Sequence, residues 1–139
     1  MDLDRIRDKL DELHRYVEDL REDLPSNSKE YVHDRKSRRA SEKDFELACD
    51  SLIDICNIII SDEELGRPTD HKDSLNKLTE GGILNSETAS SLKDMLGFRN
   101  LLVHRYGKID HEKAFNYLSE ETKNFKEFAK EIQEFIKSQ

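Results

Sequence analysis

Apolar residues recur every three or four positions through the first 24 residues of the chain, and this spacing is that of an α-helix. The steps alternate between three and four, which places all of these residues on one stripe: Leu3, Ile6, Leu10, Leu13, Val17, Leu20 and Leu24. Pro25 and the Ser-Asn-Ser segment after it end the helix. Such a stripe fits a bundle helix or a two-stranded coiled coil; because fewer than four heptads precede the proline, we favour the bundle.

Helical periodicity continues to the end of the chain, with no alternation typical of a β-strand. Residues 28–62 predict a helical region in two parts, a polar basic part and then FELACDSLIDICNIIIS, which is apolar around most of its circumference. We expect this second part to lie in the centre of the core and to contact a second subunit as well. A short helix near 72–80 and long helices over 86–107 and from 110 complete an all-α, up-and-down bundle of four long helices plus a short one, a single domain spanning 1–139.

Composition and charge narrow the possible functions. Charged residues make up 39% of the chain and hydrophobic residues 35%, a balance typical of helices with one apolar stripe. The formal net charge of −8 argues against binding nucleic acid over a broad surface, although a local basic site remains possible. Neither a signal peptide nor a membrane span of about 18 apolar residues is evident, so we expect a cytoplasmic protein that does not bind membranes.

The two cysteines lie on one predicted helix. Cys49 and Cys56 are seven residues apart in the sequence, and at the helical rise their Cα atoms are about 10 Å apart. That distance is too long for a disulfide between them. We expect two small buried side chains in a reducing compartment, with an intermolecular disulfide as the alternative.

The segment RNLLVHRY, residues 99–106, concentrates groups suited to phosphodiester chemistry. On a helix, Arg99 and Tyr106 share one stripe, whereas Asn100 and His104 lie one turn apart on another. Arginine binds phosphate in a fork, and histidine moves protons near neutral pH. Since the octet contains no carboxylate for a metal ion, it suits metal-independent RNA cleavage by the 2′-hydroxyl, in which His104 transfers the proton and Arg99 stabilises the phosphate. Asn100 would orient His104 or bind a phosphate oxygen.

The same residues also have a purely structural interpretation. An arginine in an apolar stripe often pairs with an acid, and Asp54 is an available partner for Arg99. A lone histidine such as His104 is more often structural than catalytic. Spacing by itself leaves both interpretations open.

The longer string GFRNLLVHRYGKID, residues 97–110, resembles the signature of the HepT family of the HEPN superfamily. The other elements follow in a similar order: the SLIDICNIII helix, a loop with a proline, a short helix ending in GGIL, and a last helix rich in phenylalanine. The resemblance implies a HEPN-like helical domain and an endoribonuclease toxin of a type VII toxin–antitoxin system that needs no metal or cofactor. It also implies a homodimer whose two Arg-His sites face a shared cleft.

The resemblance further implies roles for single residues and a partner. Arg99 and His104 would be catalytic, and Asn100 would support them. An MntA-type minimal nucleotidyltransferase antitoxin would transfer AMP from ATP to Tyr106, where negative nucleotides would block the cleft and occupy Arg99. One alternative is a non-catalytic helical dimer that binds RNA or a nucleotidyltransferase as a scaffold. Another is a nucleotide-modifying pair in which this chain only accepts AMP.

One dense basic segment lies within residues 33–43. Its cations, with Arg105 of the motif, are candidates for positioning the RNA backbone: Arg35, Lys36, Arg38 and Arg39. A solvated helix face explains them equally well. Glu30 and His33 have the spacing of a di-iron helix motif, but such sites need a second copy and further glutamates, so we predict no metal site.

Overall fold

The computed structural model describes every residue except Arg105, and every side chain except those of Arg105 and Tyr106. The described residues form six α-helices and one 3₁₀ turn: α1 (Leu3–Asp23), α2 (Ser28–His33), α3 (Arg35–Asp62), α4 (His71–Glu80), α5 (Ser86–His104), the 3₁₀ turn (Tyr106–Lys108) and α6 (His111–Lys137). None of these helices is long and apolar enough to cross a membrane. The predicted all-α class is confirmed, with four long helices and the short α4, to which the structure adds the six-residue α2.

The stripe of α1 packs along α3 of the same chain, as expected of a bundle helix. Five of its residues are buried, and Leu3 and Leu24 at its ends are partly buried against the core. The helix ends at Asp23, two residues before Pro25, and the N–H of Leu24 donates to the carbonyl of Leu20. The sequence interpretation of this segment is therefore confirmed.

The predicted helical region over 28–62 is broken at Asp34, inside its polar part. The carboxylate of Asp34 accepts hydrogen bonds from the N–H and hydroxyl of Ser37 at 3.2 and 2.9 Å, which starts α3. The guanidinium of Arg38 donates to the carbonyls of Val32 and Tyr31 at 2.6 and 3.3 Å, at the end of α2. Arg38 therefore joins the two helices across the break.

The apolar part of α3 forms the centre of the core. Ten of its eleven apolar residues are at most 5% exposed and Leu47 is partly buried, under the packing of α1, α4 and α5. The helices of its own chain cover this apolar surface, and contact with a second subunit stays a prediction. Cys49 and Cys56 are buried free thiols, as predicted, and burial raises the pKa of both.

The start of α5 is fixed by a small buried network. Asn85 accepts a hydrogen bond from the N–H of Thr88 at 2.8 Å and thereby caps the helix. The carboxylate of Glu131 on α6 accepts from the hydroxyl of Thr88 at 2.5 Å and from the N–H of Asn85 at 2.7 Å. Since Glu131 is 8% exposed, these bonds tie the beginning of α5 firmly to α6.

Candidate functional site

Residues 99–104 of the motif lie on the last two turns of α5. Phe98, directly before Arg99, packs its ring 4.4 Å from that of Tyr117 on α6 and 5.6 Å from that of Phe45 on α3. Burial and the nearby carboxylate of Glu121 raise the pKa of Tyr117, so its ring serves as neutral packing surface. These aromatic contacts hold the backbone of the motif against the bundle.

The side chain of Arg99 is held between two oxygens. It is only 18% exposed, and its Nη2 donates to Oδ1 of Asp50 on α3 at 3.1 Å. Its Nη1 donates to Oδ1 of Asn100 at 3.3 Å. The structural interpretation names Asp54 as an available partner for Arg99, and this is wrong: Asp54 lies one turn further along α3 and accepts from Lys9 at 3.2 Å.

Two clefts meet at Arg99, which lines both. The first, here the Arg39 cleft, has a volume of about 390 Å³ and is lined by Arg39, Glu42, Lys43, Glu46, Arg99, Leu102 and Val103. The second, here the Lys72 cleft, has a volume of about 470 Å³ and is lined by Cys49, Asp50, Ile53, Asp70, His71, Lys72, Leu96, Arg99 and Asn100. Arg99 thus borders both clefts although most of its side chain is covered.

Asn100 and His104 are both exposed, one helical turn apart as predicted. Within the described part of the chain, His104 makes no hydrogen bond or ion pair, with Arg99 or with any other residue. Of its apolar neighbours, Leu102 is buried, whereas Leu101 and Val103 are each 40% exposed. The imidazole is therefore open to a ligand, and an exposed apolar pair lies beside it.

The predicted basic residues separate in the structure. Arg39 lines a cleft with Arg99, whereas Arg38 is occupied at the end of α2. Arg35 and Lys36 are exposed on the first turn of α3 and line neither cleft. Arg105, like the side chain of Tyr106, lies outside what the structure describes; the backbone of Tyr106 begins the 3₁₀ turn, two residues after His104.

Sequence reasoning missed Asp50 and Lys72. Asp50 carried a signal, since it is an acid within the otherwise apolar part of α3, four residues before Asp54. Lys72 carried none, because only the packing of α4 against α5 brings it to the motif. A contact between two different helices leaves no pattern in the spacing of residues along either one.

Comparison with known proteins identifies relatives over most of the chain. The model of the ribonuclease HepT-like family matches residues 6–132. An mRNA nuclease HepT of Shewanella oneidensis is 29% identical over 58% of this chain, an alignment that spans 60% of that protein's length. A tRNA nuclease HepT of Aphanizomenon flos-aquae is 24% identical over 94% of this chain and 89% of that protein.

A solved structure supports the same assignment at the level of the fold. It holds the tri-AMPylated HEPN toxin of Shewanella oneidensis in complex with MNT antitoxin, and it is similar to this chain with a TM-score of 0.85 and 22% identity. The match covers 92% of this chain and 96% of that chain, which confirms the predicted HEPN-like bundle. Because the family model spans almost the whole bundle, including the motif on α5, this chain belongs to the ribonuclease HepT-like family.

Proposed function

We propose that this protein is a metal-independent endoribonuclease toxin, active as a homodimer and neutralised by AMPylation of Tyr106. The partner would be an MntA-type nucleotidyltransferase antitoxin. One observation carries the proposal: a fixed guanidinium, that of Arg99, opens into two clefts beside the exposed side chains of Asn100 and His104. Such a group binds a phosphate next to a base that can move a proton.

The reaction follows from these groups. The 2′-oxygen of the RNA attacks the adjacent phosphorus, and His104 accepts the 2′ proton. The bond from phosphorus to the 5′-oxygen breaks, and a protonated imidazole, which a second copy supplies in a homodimer, gives the leaving oxygen its proton. Arg99 stabilises the added negative charge on the phosphate, and Asn100 orients Arg99 through their hydrogen bond. The products are a 2′,3′-cyclic phosphate and a 5′-hydroxyl.

A second copy fits the surface next to the site. Leu101 and Val103 are, with Met1, the large hydrophobic residues that the described chain leaves most exposed. Contact between two α5 ends would cover this pair and bring two His104 side chains to one cleft. We expect Leu101→Asp with Val103→Asp to shift the protein toward monomer in analytical ultracentrifugation and to abolish cleavage. A fully dimeric double variant would contradict this interface.

AMPylation explains how such a toxin is restrained. The phenolic oxygen of Tyr106 attacks the α-phosphorus of ATP, and pyrophosphate leaves. Each AMP adds a negative phosphate two residues after His104, where it blocks the RNA and attracts Arg99. The solved toxin similar to this chain is tri-AMPylated, which supports the proposal. Co-expression with the nucleotidyltransferase should add AMP masses in intact-mass spectra, and Tyr106→Phe should remove them.

The decisive experiment is cleavage by the purified protein in EDTA. We expect labelled single-stranded RNA to be cut, with cyclic phosphate and 5′-hydroxyl ends identified by mass spectrometry. Cleavage that stops in EDTA and returns with a divalent metal ion would contradict the mechanism. Ends with a 5′-phosphate would contradict it as well, because attack by the 2′-oxygen cannot produce them.

One observation favours the scaffold alternative: Arg99 already has a carboxylate partner, Asp50, at 3.1 Å. A paired guanidinium is typical of a structural ion pair as well as of a resting site. Under this alternative the protein would bind RNA or the nucleotidyltransferase without cutting RNA, and its expression would not slow growth. The EDTA experiment, run together with a binding assay, separates the two functions.

A further inference from the structure

Lys72 is a cation without an acid partner beside the motif. It is the second residue of α4 and is exposed, and it forms no ion pair with any carboxylate of the described residues. Two acids line the same cleft, but both are engaged elsewhere. Asp50 accepts from Arg99, and Asp70 caps α4 by accepting from the N–H of Asp73 at 2.7 Å. The charge of Lys72 is therefore available to a ligand.

Gly97 lets this ammonium lie directly on α5. A Cβ atom added at Gly97 would be 3.5 Å from Nζ of Lys72, so a side chain longer than that of alanine would meet the lysine. Gly97, Asn100 and His104 lie on one stripe of the helix, at positions i, i+3 and i+7. From Gly97 to His104 this stripe is about 10 Å long, the length of about three stacked nucleotides.

The Arg39 cleft offers a weaker path for RNA. Its Lys43 pairs with Glu46 at 3.7 Å, and the carboxylate of Glu42 also lines it. Each cleft is lined by two carboxylates, but in this one the carboxylate of Glu46 already pairs with the lysine of the cleft. In the Lys72 cleft the ammonium is unpaired, and Asn100 and His104 continue the same stripe.

We infer that Lys72 binds a backbone phosphate of the RNA, flanking the phosphate that is cleaved between Arg99 and His104. The strand then follows the stripe of α5 from His104 to Gly97 through the Lys72 cleft. The inference rests on the proposed function and adds to it a second phosphate site and a path for the substrate. The ligand is a single-stranded RNA backbone, since one ammonium recognises phosphate without reading a base.

The salt dependence of binding tests this site. The probe is a fluorescein-labelled 2′-O-methyl oligoribonucleotide of 12 nucleotides, which keeps every phosphate but has no 2′-hydroxyl to attack. Its affinity is measured by anisotropy across a series of KCl concentrations. Each phosphate contact on a single strand contributes about 0.7 to the slope of log K against log salt. Lys72→Ala should lower that slope by about 0.7, and Lys72→Arg should keep it.

Three further variants distinguish a local phosphate site from a general effect of charge. Lys126→Ala removes one charge from α6, in the groove between α1 and α6, and should leave the slope unchanged. Gly97→Leu keeps the lysine but fills the space where its ammonium lies, and should lower the slope as Lys72→Ala does. Gly97→Ala should not, because a contact of 3.5 Å is ordinary packing.

The outcomes are distinct. If Lys72→Ala and Lys126→Ala both keep the slope of the unsubstituted protein while that protein cleaves RNA, the Lys72 site is wrong and the proposed function stands. An equal loss of slope in both variants also overturns the site, since charge alone would explain it. If the unsubstituted protein neither binds the probe nor cuts RNA, the proposed function fails and the inference falls with it.

Discussion

The two halves of α5 belong to one helix but have opposite surroundings. In the first half, Ser86 to Leu96, five residues are buried, and the network around Glu131 fixes the first turn. In the second half, from Gly97 to His104, Leu102 is the one buried residue. The exposed positions there are Asn100, Leu101, Val103 and His104.

This difference shows how a short chain builds a precise site without burying it. The packed half anchors the helix in the bundle. Because the helix is rigid, this also fixes the backbone of the exposed half, where the functional groups lie. A site on a rigid helix is held more precisely than one on a loop. Substitutions in the first half should therefore change stability, whereas substitutions in the second half should change activity.

The largest expected effect is at the exposed end. His104→Ala should lower kcat/KM for RNA cleavage by about 10²- to 10⁴-fold, the usual contribution of a general acid or base. Because His104 is exposed, the free energy of unfolding should change by no more than about 0.5 kcal/mol. His14→Ala, an exposed histidine on α1, is the matched control and should cleave normally. Cleavage by His104→Ala at the rate of the parent would refute the assigned role.

At the packed end the expected effect is on folding. Leu92 is fully buried, so Leu92→Ala should lower the free energy of unfolding by about 2–5 kcal/mol in urea titrations. Leu101→Ala makes the same change at a residue that is 40% exposed, and it should cost less than about 1 kcal/mol when both variants are measured at a protein concentration low enough to dissociate the proposed dimer. Equal losses would mean that the two halves do not differ as the structure indicates.

Periodicity predicted most of the fold because burial in this bundle follows helical stripes. The stripe of α1 and the apolar part of α3 are both in the core, and Asn85 and Asp110 cap the helices that begin directly after them. The break at Asp34 was not predicted. It lies in a polar segment where no apolar stripe marks how the helix runs, and side-chain capping decides where the helix begins.

The site was only partly predictable, for a different reason. The octet gave its own members and the stripe shared by Asn100 and His104, whereas Tyr106 lies beyond the end of α5, in the 3₁₀ turn. The surroundings of the octet depend on contacts between helices that are distant in sequence. Asp50 is 49 residues from Arg99 in the sequence, and Lys72 reaches Gly97 from another helix. Residue spacing describes one helix at a time. It therefore could not distinguish Asp50 from Asp54 as the partner of Arg99, and it gave no indication of Lys72.

Gly97 lies at the boundary between the two halves. Its substitution by alanine should have a smaller effect on the free energy of unfolding than Leu92→Ala, and one of the opposite sign. A glycine inside a helix costs about 0.5–1 kcal/mol relative to alanine, and the added Cβ would meet only Nζ of Lys72, at 3.5 Å. Gly97→Ala should therefore raise the free energy of unfolding by about that amount. Gly82→Ala is the control: it has open space but a φ of +74°, so it should destabilise the protein. A lower free energy of unfolding in Gly97→Ala would show that Lys72 needs all of the space above Gly97.

The smallest expected effect concerns the ion pair that links the exposed half to α3. Asp50→Asn keeps a hydrogen-bond acceptor for Arg99 but removes the charge that competes with phosphate. An ion pair whose acid is 48% exposed is worth at most about 1 kcal/mol, so KM for RNA should fall by about threefold while kcat changes less. Asp54→Asn, one turn along α3 and paired with Lys9, should change neither. A rise in KM would instead mean that the carboxylate orients Arg99 for phosphate, and Asp50 would then be a positioning residue.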